Sequence, residues 1–181
     1  MTIYNTPFPN LQHPCVVALG TFDGVHIGHA AVITAAVGKA RTLSARTPAA
    51  VWCFTQPPKS DKALTTPDEK ANLIAALGAD ELIMIPPAPE LLSLSPEQFA
   101  DALITSLCPL HVVVGYNYTY GKGAAGTPDT LREYLARHGI GLSVIPPVEY
   151  GGVPVSSTAI RRLIAAGDTA AASDLLGRPI K

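Results

Sequence analysis

A short apolar segment runs directly into a turn rich in glycine and histidine at residues 15–29, CVVALGTFDGVHIGH. The apolar part, 15–19, is typical of a strand that is buried on both faces of a parallel sheet. The residues after the turn place Val32, Ile33 and Ala36 at helical spacing. This stretch therefore predicts a strand, a tight turn and a helix, which is the unit that builds parallel sheets.

The same alternation continues along the chain. Further strands are predicted at 49–54, 81–85, 111–115 and 141–145, and helices at 27–46, 68–77, 96–107, 128–138, 158–166 and 169–176. The pairs Thr66–Pro67, Ser95–Pro96 and Thr127–Pro128 are helix start signals, and Ser157 is the predicted cap of the next helix. The predicted class is α/β, a Rossmann-like doubly wound sheet of five parallel strands with helices on both faces.

The composition limits the classes of protein that fit this chain. Its 181 residues predict a single domain, 1–181, and a hydrophobic fraction of 48% excludes a disordered chain. A net charge of −1 argues against binding nucleic acid through bulk electrostatics. Without a signal peptide or a long apolar run, we expect no membrane partner and a cytoplasmic location. The three cysteines have no metal-ligand spacing and are expected to be buried free thiols.

The turn after the first strand is the strongest chemical signal. His26 and His29 lie three residues apart on the first turn of a helix, beside free backbone N–H groups and the positive end of the helix dipole. Gly24 and Gly28 leave room for a phosphate to approach the backbone. This pattern indicates an anion site, although a plain helix cap at Asp23 with two solvated histidines is the alternative. Zinc is disfavoured because only two ligands are evident.

Two later segments carry further candidates. Ser156, Ser157 and Thr158 lie at a predicted helix start with Arg161 one turn on, a pattern that suits phosphate but also an ordinary cap. Residues 114–126, VGYNYTYGKGAAG, follow a strand with three tyrosines and four glycines. The tyrosines either wall a slot for a flat ring or pack on the sheet.

Taken in order, these segments resemble the adenylyltransferase module of the prokaryotic bifunctional riboflavin kinase/FMN adenylyltransferase family, within the wider HxGH nucleotidyltransferase superfamily. The resemblance also includes LTTPDEK at 64–70, LSPEQFADALI at 94–104, VSSTAIRRLIAAGD at 155–168 and LLGRPI at 175–180. It implies transfer of AMP from ATP to the phosphate of FMN, giving FAD and pyrophosphate with Mg²⁺. The implied partners are therefore small molecules, and no protein-bound metal site is assigned.

The resemblance also assigns roles to residues. Catalytic roles fall to His26, His29 and Arg161. ATP and phosphate binding falls to Gly20, Phe22, Asp23, Gly24, Gly28, Ser156, Ser157 and Thr158. Binding of the flavin acceptor falls to Phe54, Gln56, Pro57, Gly115, Asn117, Tyr120 and Lys122.

Two departures from the family pattern lie on the acceptor side. Gln56 stands where family members commonly have the histidine of a Pro-His-Pro type segment, and Asn117 stands where a carboxylate is common. The alternatives are therefore AMP transfer to another phosphorylated acceptor, or a nucleotide- or flavin-binding protein without catalysis. The residues after LLGRP leave no room for a riboflavin kinase module, so we expect a single-module protein or a chain cut at a module boundary.

Overall fold

A computed structural model describes residues 1–58 and 62–180. Within these ranges the main sheet has six strands, all parallel: β1 (Thr2–Tyr4), β2 (Cys15–Leu19), β3 (Ala49–Phe54), β4 (Glu81–Ile85), β5 (Pro109–Gly115) and β6 (Gly141–Ile145). Their order across the sheet is β1-β4-β3-β2-β5-β6. The predicted α/β class is confirmed, and the strand count is corrected from five to six. The missed strand, β1, is a three-residue edge strand without an apolar pattern.

The helices in the described ranges are α1 (Ile27–Leu43), α2 (Pro67–Ala76), α3 (Pro89–Leu92), α4 (Pro96–Leu107), α5 (Pro128–Ala136), α6 (Ser157–Ala165) and α7 (Thr169–Leu176). A small antiparallel hairpin of β7 (Glu149–Tyr150) and β8 (Val153–Pro154) precedes α6. The sequence did not predict α3 or the hairpin, and α1 and α5 end earlier than expected. The three Ser/Thr–Pro starts are as predicted, because Thr66, Ser95 and Thr127 each accept a backbone N–H through the side chain.

Helices cover both faces of the sheet, as predicted. Alternate residues of β2 point to opposite faces, so Val17 packs with α4 and α5 while Val16 packs with α1 and α2. The third apolar cluster joins α6 and α7, and Ile27 at the start of α1 packs against it. The C-terminal helices are thereby fixed against the turn that follows β2.

The three cysteines are free, as predicted, but only Cys15 and Cys53 are buried. The prediction was wrong for Cys108, which is exposed and ends α4 in the left-handed conformation at φ 47°. In the described part of the chain, no helix combines the length and the hydrophobicity that crossing a bilayer requires.

The strand order sets where a ligand can bind. The chain moves outward from β2 to β3 and β4, then returns to the other side of β2 to place β5. The carboxyl ends of β2 and β5 lie side by side at this switch point, with Leu19 paired to Val114. Ligands of open α/β sheets bind in the crevice at such a point. The turn at 20–26 and the segment at 115–126 therefore meet at one edge of the sheet.

Replacing Leu103 with alanine tests the larger apolar cluster. Leu103 is fully buried in α4, and deleting a buried leucine side chain typically costs about 2–5 kcal/mol of unfolding free energy. Urea denaturation measures this loss. Leu110→Ala is the matched control, because Leu110 is 45% exposed, and we expect its loss to stay below about 1 kcal/mol. Equal losses in the two variants would contradict the assignment of the core.

Candidate active site

The turn between β2 and α1 has an unusual backbone. Phe22, Gly24 and Val25 all adopt positive φ, at 48°, 81° and 39°. A β-branched residue such as Val25 is rarely found there, so the surroundings must hold the turn in shape. Gly20 has no free space for a side chain, because an added Cβ would lie 2.7 Å from the ring of Phe22.

The two histidines of the turn form a stacked pair. Their ring centroids lie 3.5 Å apart with planes inclined by 18°, and the edge of Phe22 meets His29. His26 is the N-cap of α1, since its Nδ1 accepts the backbone N–H of His29 at 3.3 Å. The cap is thus a histidine rather than Asp23. An added Cβ at Gly28 would lie 3.2 Å from the His26 ring, so glycine lets the ring lie over the helix start.

Both imidazoles favour the neutral form. Burial, followed by the nearby Arg178 guanidinium, lowers the pKa of His26 to about 4. Burial, then His26 and then the Lys70 ammonium, lowers the pKa of His29 well below its usual value. Because His26 Nδ1 is an acceptor, its proton lies on Nε2, which makes Nε2 a hydrogen-bond donor. His29 Nδ1 is buried and has no hydrogen-bond partner among the described residues.

Asp23 ties three parts of the chain together. It is 2% exposed; its Oδ1 accepts the N–H of Leu64 at 2.8 Å, and its Oδ2 is paired with Arg161. Arg161 also donates from Nε to the carbonyl of Lys62 at 2.8 Å. Asp23 therefore orients the Arg161 side chain and anchors the loop before α2.

The start of α6 also contacts the turn. Ser156, rather than the predicted Ser157, is the N-cap and accepts the N–H of Ala159 at 3.2 Å. Ser157 instead donates its hydroxyl to the Asp23 carbonyl at 2.9 Å. The prediction of the cap was wrong by one residue because neighbouring serines have equal local capping ability. The N-terminus of α6 lies beside that of α1, which brings two sets of free backbone N–H groups together.

One cavity of about 660 Å³ joins these groups to the acceptor-side candidates. Its volume lies in the range typical of small-molecule sites. The predicted residues that line it are Gly20, Phe22, Asp23, His26, Gly28, His29, Phe54, Pro57, Gly115, Asn117, Tyr120, Ser156, Ser157, Thr158 and Arg161.

Three predicted residues do not line the cavity. Gly24 is buried under the turn, where an added Cβ would lie 2.8 Å from Leu64. Gln56 and Lys122 have exposed side chains outside it. Lys122 begins a short 3₁₀ turn, Lys122–Ala124. The backbone N–H of Lys122 donates a hydrogen bond to the Leu94 carbonyl at 2.7 Å, which fixes the start of this turn.

Aromatic side chains line the part of the cavity formed by the acceptor-side candidates. Trp52 meets Phe54 and Phe99 edge to face at 5.2 and 5.4 Å, and Tyr118 stacks on Tyr120 at 5.8 Å. Tyr120 is 7% exposed and lines the cavity, with its ring centroid 5.7 Å from that of Phe99 in α4. The same cavity is thus lined by these aromatic rings and by the polar histidine turn.

Lys70 is a residue that the sequence did not reveal. Its side chain is fully buried, and its ammonium donates to the carbonyls of Thr21, Phe54 and Thr55 at 3.1, 2.7 and 3.3 Å. Burial lowers its pKa. Lys70 therefore joins the histidine turn to the end of β3, which carries the acceptor-side segment. The one available signal was the position of Lys70 on the apolar face of α2, beside Ala71 and Ile74.

Comparison with known proteins gives consistent matches. The family model for FAD synthetase matches residues 8–159. A protein of Listeria monocytogenes named FAD synthetase is 32% identical over 169 residues, which cover 91% of this chain and 69% of that protein. A bifunctional riboflavin kinase/FMN adenylyltransferase of Bacillus subtilis is 36% identical over 178 residues, covering 93% of this chain and 55% of the relative. The chain thus spans about half the length of the bifunctional relative.

The fold is matched by a crystal structure described as a macrolide-efflux protein from Streptococcus pneumoniae. The TM-score is 0.88 at 26% identity, and the match covers 99% of this chain and 61% of that one.

Because His26 and His29 are buried in the neutral form, we expect the unfolding free energy to fall at acid pH. Because the pKa of His26 is about 4 when folded and about 6.5 when unfolded, the unfolded chain binds more protons between these values. The unfolding free energy therefore falls as the pH drops from about 6.5 to about 4, by about 3 kcal/mol for this group. His26→Asn keeps a capping acceptor and removes the titration. We expect urea denaturation from pH 4.5 to 7 to show a shallower pH slope for this variant.

The control for this prediction is His138→Asn, at an exposed histidine after α5. This substitution should leave the pH slope as in the original chain. The same slope in all three proteins would show that burial of His26 does not produce the acid sensitivity.

Proposed function

The chain belongs to the FAD synthetase family, and from that membership we propose that it transfers AMP from ATP to the phosphate of FMN, giving FAD and pyrophosphate. The observation that carries the proposal is the cavity of about 660 Å³ with a polar histidine end and an aromatic end. A triphosphate suits the first end and a flavin ring suits the second. A reaction between two phosphates requires that both substrates bind in one continuous space.

The proposed chemistry is an in-line displacement. An oxygen of the FMN phosphate attacks the α-phosphorus of ATP and forms the new P–O–P bond. The bond from the α-phosphorus to the oxygen bridging to the β-phosphorus breaks, and pyrophosphate leaves with that electron pair. No covalent nucleophile from the protein is needed, so catalysis depends on position and charge stabilisation.

The histidine end supplies hydrogen-bond donors for this step. A neutral His26 donates from Nε2 to a phosphate oxygen without giving up its proton. The amino ends of α1 and α6 add backbone N–H groups with positive partial charge. The Arg161 guanidinium, oriented by its ion pair with Asp23, adds further N–H donors at the same end. These groups favour charge that develops on the leaving pyrophosphate.

Magnesium is proposed to enter as its complex with ATP, where it neutralises charge on the triphosphate. The described residues include no group of three or more histidine, cysteine or acidic side chains able to hold a metal. Asp23 is the carboxylate among the described cavity-lining residues, and it is already bound to Arg161 and Leu64. The protein groups therefore suit a metal that the nucleotide brings rather than a permanent metal ligand set.

The acceptor half suits a flat, apolar ring. Phe54, Pro57, Tyr118 and Tyr120 offer aromatic and apolar surface, and Asn117 adds an amide at the carboxyl end of β5. With ATP and FMN as its substrates, the protein would act in the cytoplasm, where both are available.

Transfer to another phosphorylated acceptor is the second candidate. Two departures from the family pattern support it. Gln56 stands in place of the family's histidine and lies outside the cavity lining, and Asn117, which lines the cavity, stands in place of the family's carboxylate. Asn117→Asp separates the two candidates. A rise in FAD formation of more than about tenfold would favour an acceptor other than FMN, whereas little change or a loss supports FMN.

We expect purified protein with Mg²⁺, ATP and FMN to form FAD and pyrophosphate in equal amounts, measured by chromatography and a coupled pyrophosphate assay. Binding of ATP without release of pyrophosphate would support a non-catalytic binding protein. Binding of ATP with pyrophosphate released only on addition of another phosphomonoester would support the second candidate.

His29→Ala should lower kcat for FAD formation at least about tenfold while the fold persists, because it removes stabilisation of developing charge. His138→Ala, at an exposed histidine, is the control and should keep the original rate. Circular dichroism checks that both variants are folded. An unchanged rate in folded His29→Ala would remove His29 from the mechanism.

A further inference from the structure

Arg178 lies after α7, beyond the residues matched by the family model. Its guanidinium reaches back across the fold to the histidine turn. Nη1 donates to the Gly24 carbonyl at 2.8 Å and lies 3.5 Å from the Val25 carbonyl, and Nη2 lies 3.8 Å from Glu69 of α2. The side chain is only 20% exposed, so these contacts are largely shielded from water.

Arg178 Nη1 also lies 3.5 Å from the Leu176 carbonyl at the end of α7, but its other two carbonyl partners belong to the strained part of the turn. Gly24 and Val25 have φ values of 81° and 39°. Each non-glycine residue in such a conformation costs of order 1 kcal/mol or more, so it persists only where its surroundings impose it. Nη1 alone contacts both carbonyl oxygens, so one side-chain group fixes two successive peptide units of the turn.

The chain after α7 is built to deliver this side chain. Gly177 ends α7 in the left-handed conformation, and an added Cβ there would lie 2.9 Å from Ile27 at the start of α1. The close approach of Gly177 to Ile27 brings the next residue, Arg178, alongside the turn. The packing of Leu175 and Leu176 with Ile27 holds the helix end in register.

We propose that Arg178 is a positioning residue that holds the turn at 22–26 in its anion-binding shape before the nucleotide binds, which makes the segment 169–180 part of the catalytic unit. The expected effect of Arg178 on the kinetics of FAD formation rests on the proposed function. The structural consequence, a turn that is preformed for a triphosphate, can be measured by ATP binding alone.

The positive charge of Arg178 also suits a role in positioning the turn for an anion. Arg178 is the second cause, after burial, of the lowered pKa of His26. His26 stacks on His29, and Lys70 lies near His29 and lowers its pKa in turn. The Arg178 cation thus lies behind the turn, on its carbonyl side. It adds positive potential for a bound phosphate without occupying the space that the phosphate takes.

The test measures binding of Mg·ATP by isothermal titration calorimetry in Arg178→Ala and Arg178→Lys. Without the guanidinium we expect the turn to sample other conformations. The apparent affinity for ATP then falls in proportion to the fraction of molecules whose turn keeps the binding conformation. We expect the Kd for ATP to rise at least about tenfold in Arg178→Ala and less in Arg178→Lys, which can still reach one carbonyl. Arg162→Ala is the matched control, because Arg162 is an exposed arginine on α6, and it should bind ATP as the original chain does.

Two further readouts separate positioning from a general loss of stability. We expect KM for ATP to rise more than kcat falls, since a bound nucleotide restores the turn. We also expect added guanidinium ion at millimolar concentration to improve ATP binding by Arg178→Ala and not by Arg162→Ala. All measurements are made well below the Tm of each variant. If Arg178→Ala does not fold, Arg178→Lys carries the test.

ATP affinity equal to that of the original chain in the folded variants would overturn the proposal. So would a fall in kcat alone with KM unchanged. If the original chain binds ATP but forms no FAD, the proposed function fails while the effect of Arg178 on ATP binding still decides this inference.

Discussion

The rest of the site depends on one constraint, the backbone shape of the turn between β2 and α1. Three residues there have positive φ, two of them not glycine, and an isolated peptide would not keep that shape. The shape makes His26 the cap of α1 and stacks its ring on His29. Helix packing, buried cations and the C-terminal helices all hold the turn from outside.

Charge is distributed around this turn in an unusual way. The cations of buried Lys70 and partly exposed Arg178 are held mainly by backbone carbonyls, with Glu69 a distant partner of Arg178 at 3.8 Å. Their positive charge is therefore only partly neutralised by the protein, and it discourages protonation of the neighbouring histidines. The histidine end of the cavity is thus electropositive while its imidazoles stay neutral, a combination that suits hydrogen bonding to phosphate oxygens.

Sheet topology brings the two halves of the cavity together. The reversal in strand order at β2 and β5 places the histidine turn beside the segment after Gly115. Lys70 then links the turn to the end of β3, so the polar half and the aromatic half are joined by one ammonium group as well as by the sheet.

The sequence by itself determined the features that arise from neighbouring residues. Apolar runs predicted the five long strands, Ser/Thr–Pro pairs predicted three helix starts, and the spacing of glycine and histidine predicted the turn at 20–29. Only the tertiary structure decided the rest. The edge strand β1 is held by backbone pairing with β4 and has no pattern of its own.

The same division applies to the site. Arg178 and Gly24 lie 154 residues apart in sequence, and Asp23 and Arg161 lie 138 apart, so no local pattern relates them. Gln56 and Lys122 were expected in the site from the family resemblance of their segments, but their side chains are exposed outside the cavity. Local patterns fix secondary structure because its hydrogen bonds and side-chain spacing are local. Contacts between distant residues depend on how the packed sheet and helices bring them together.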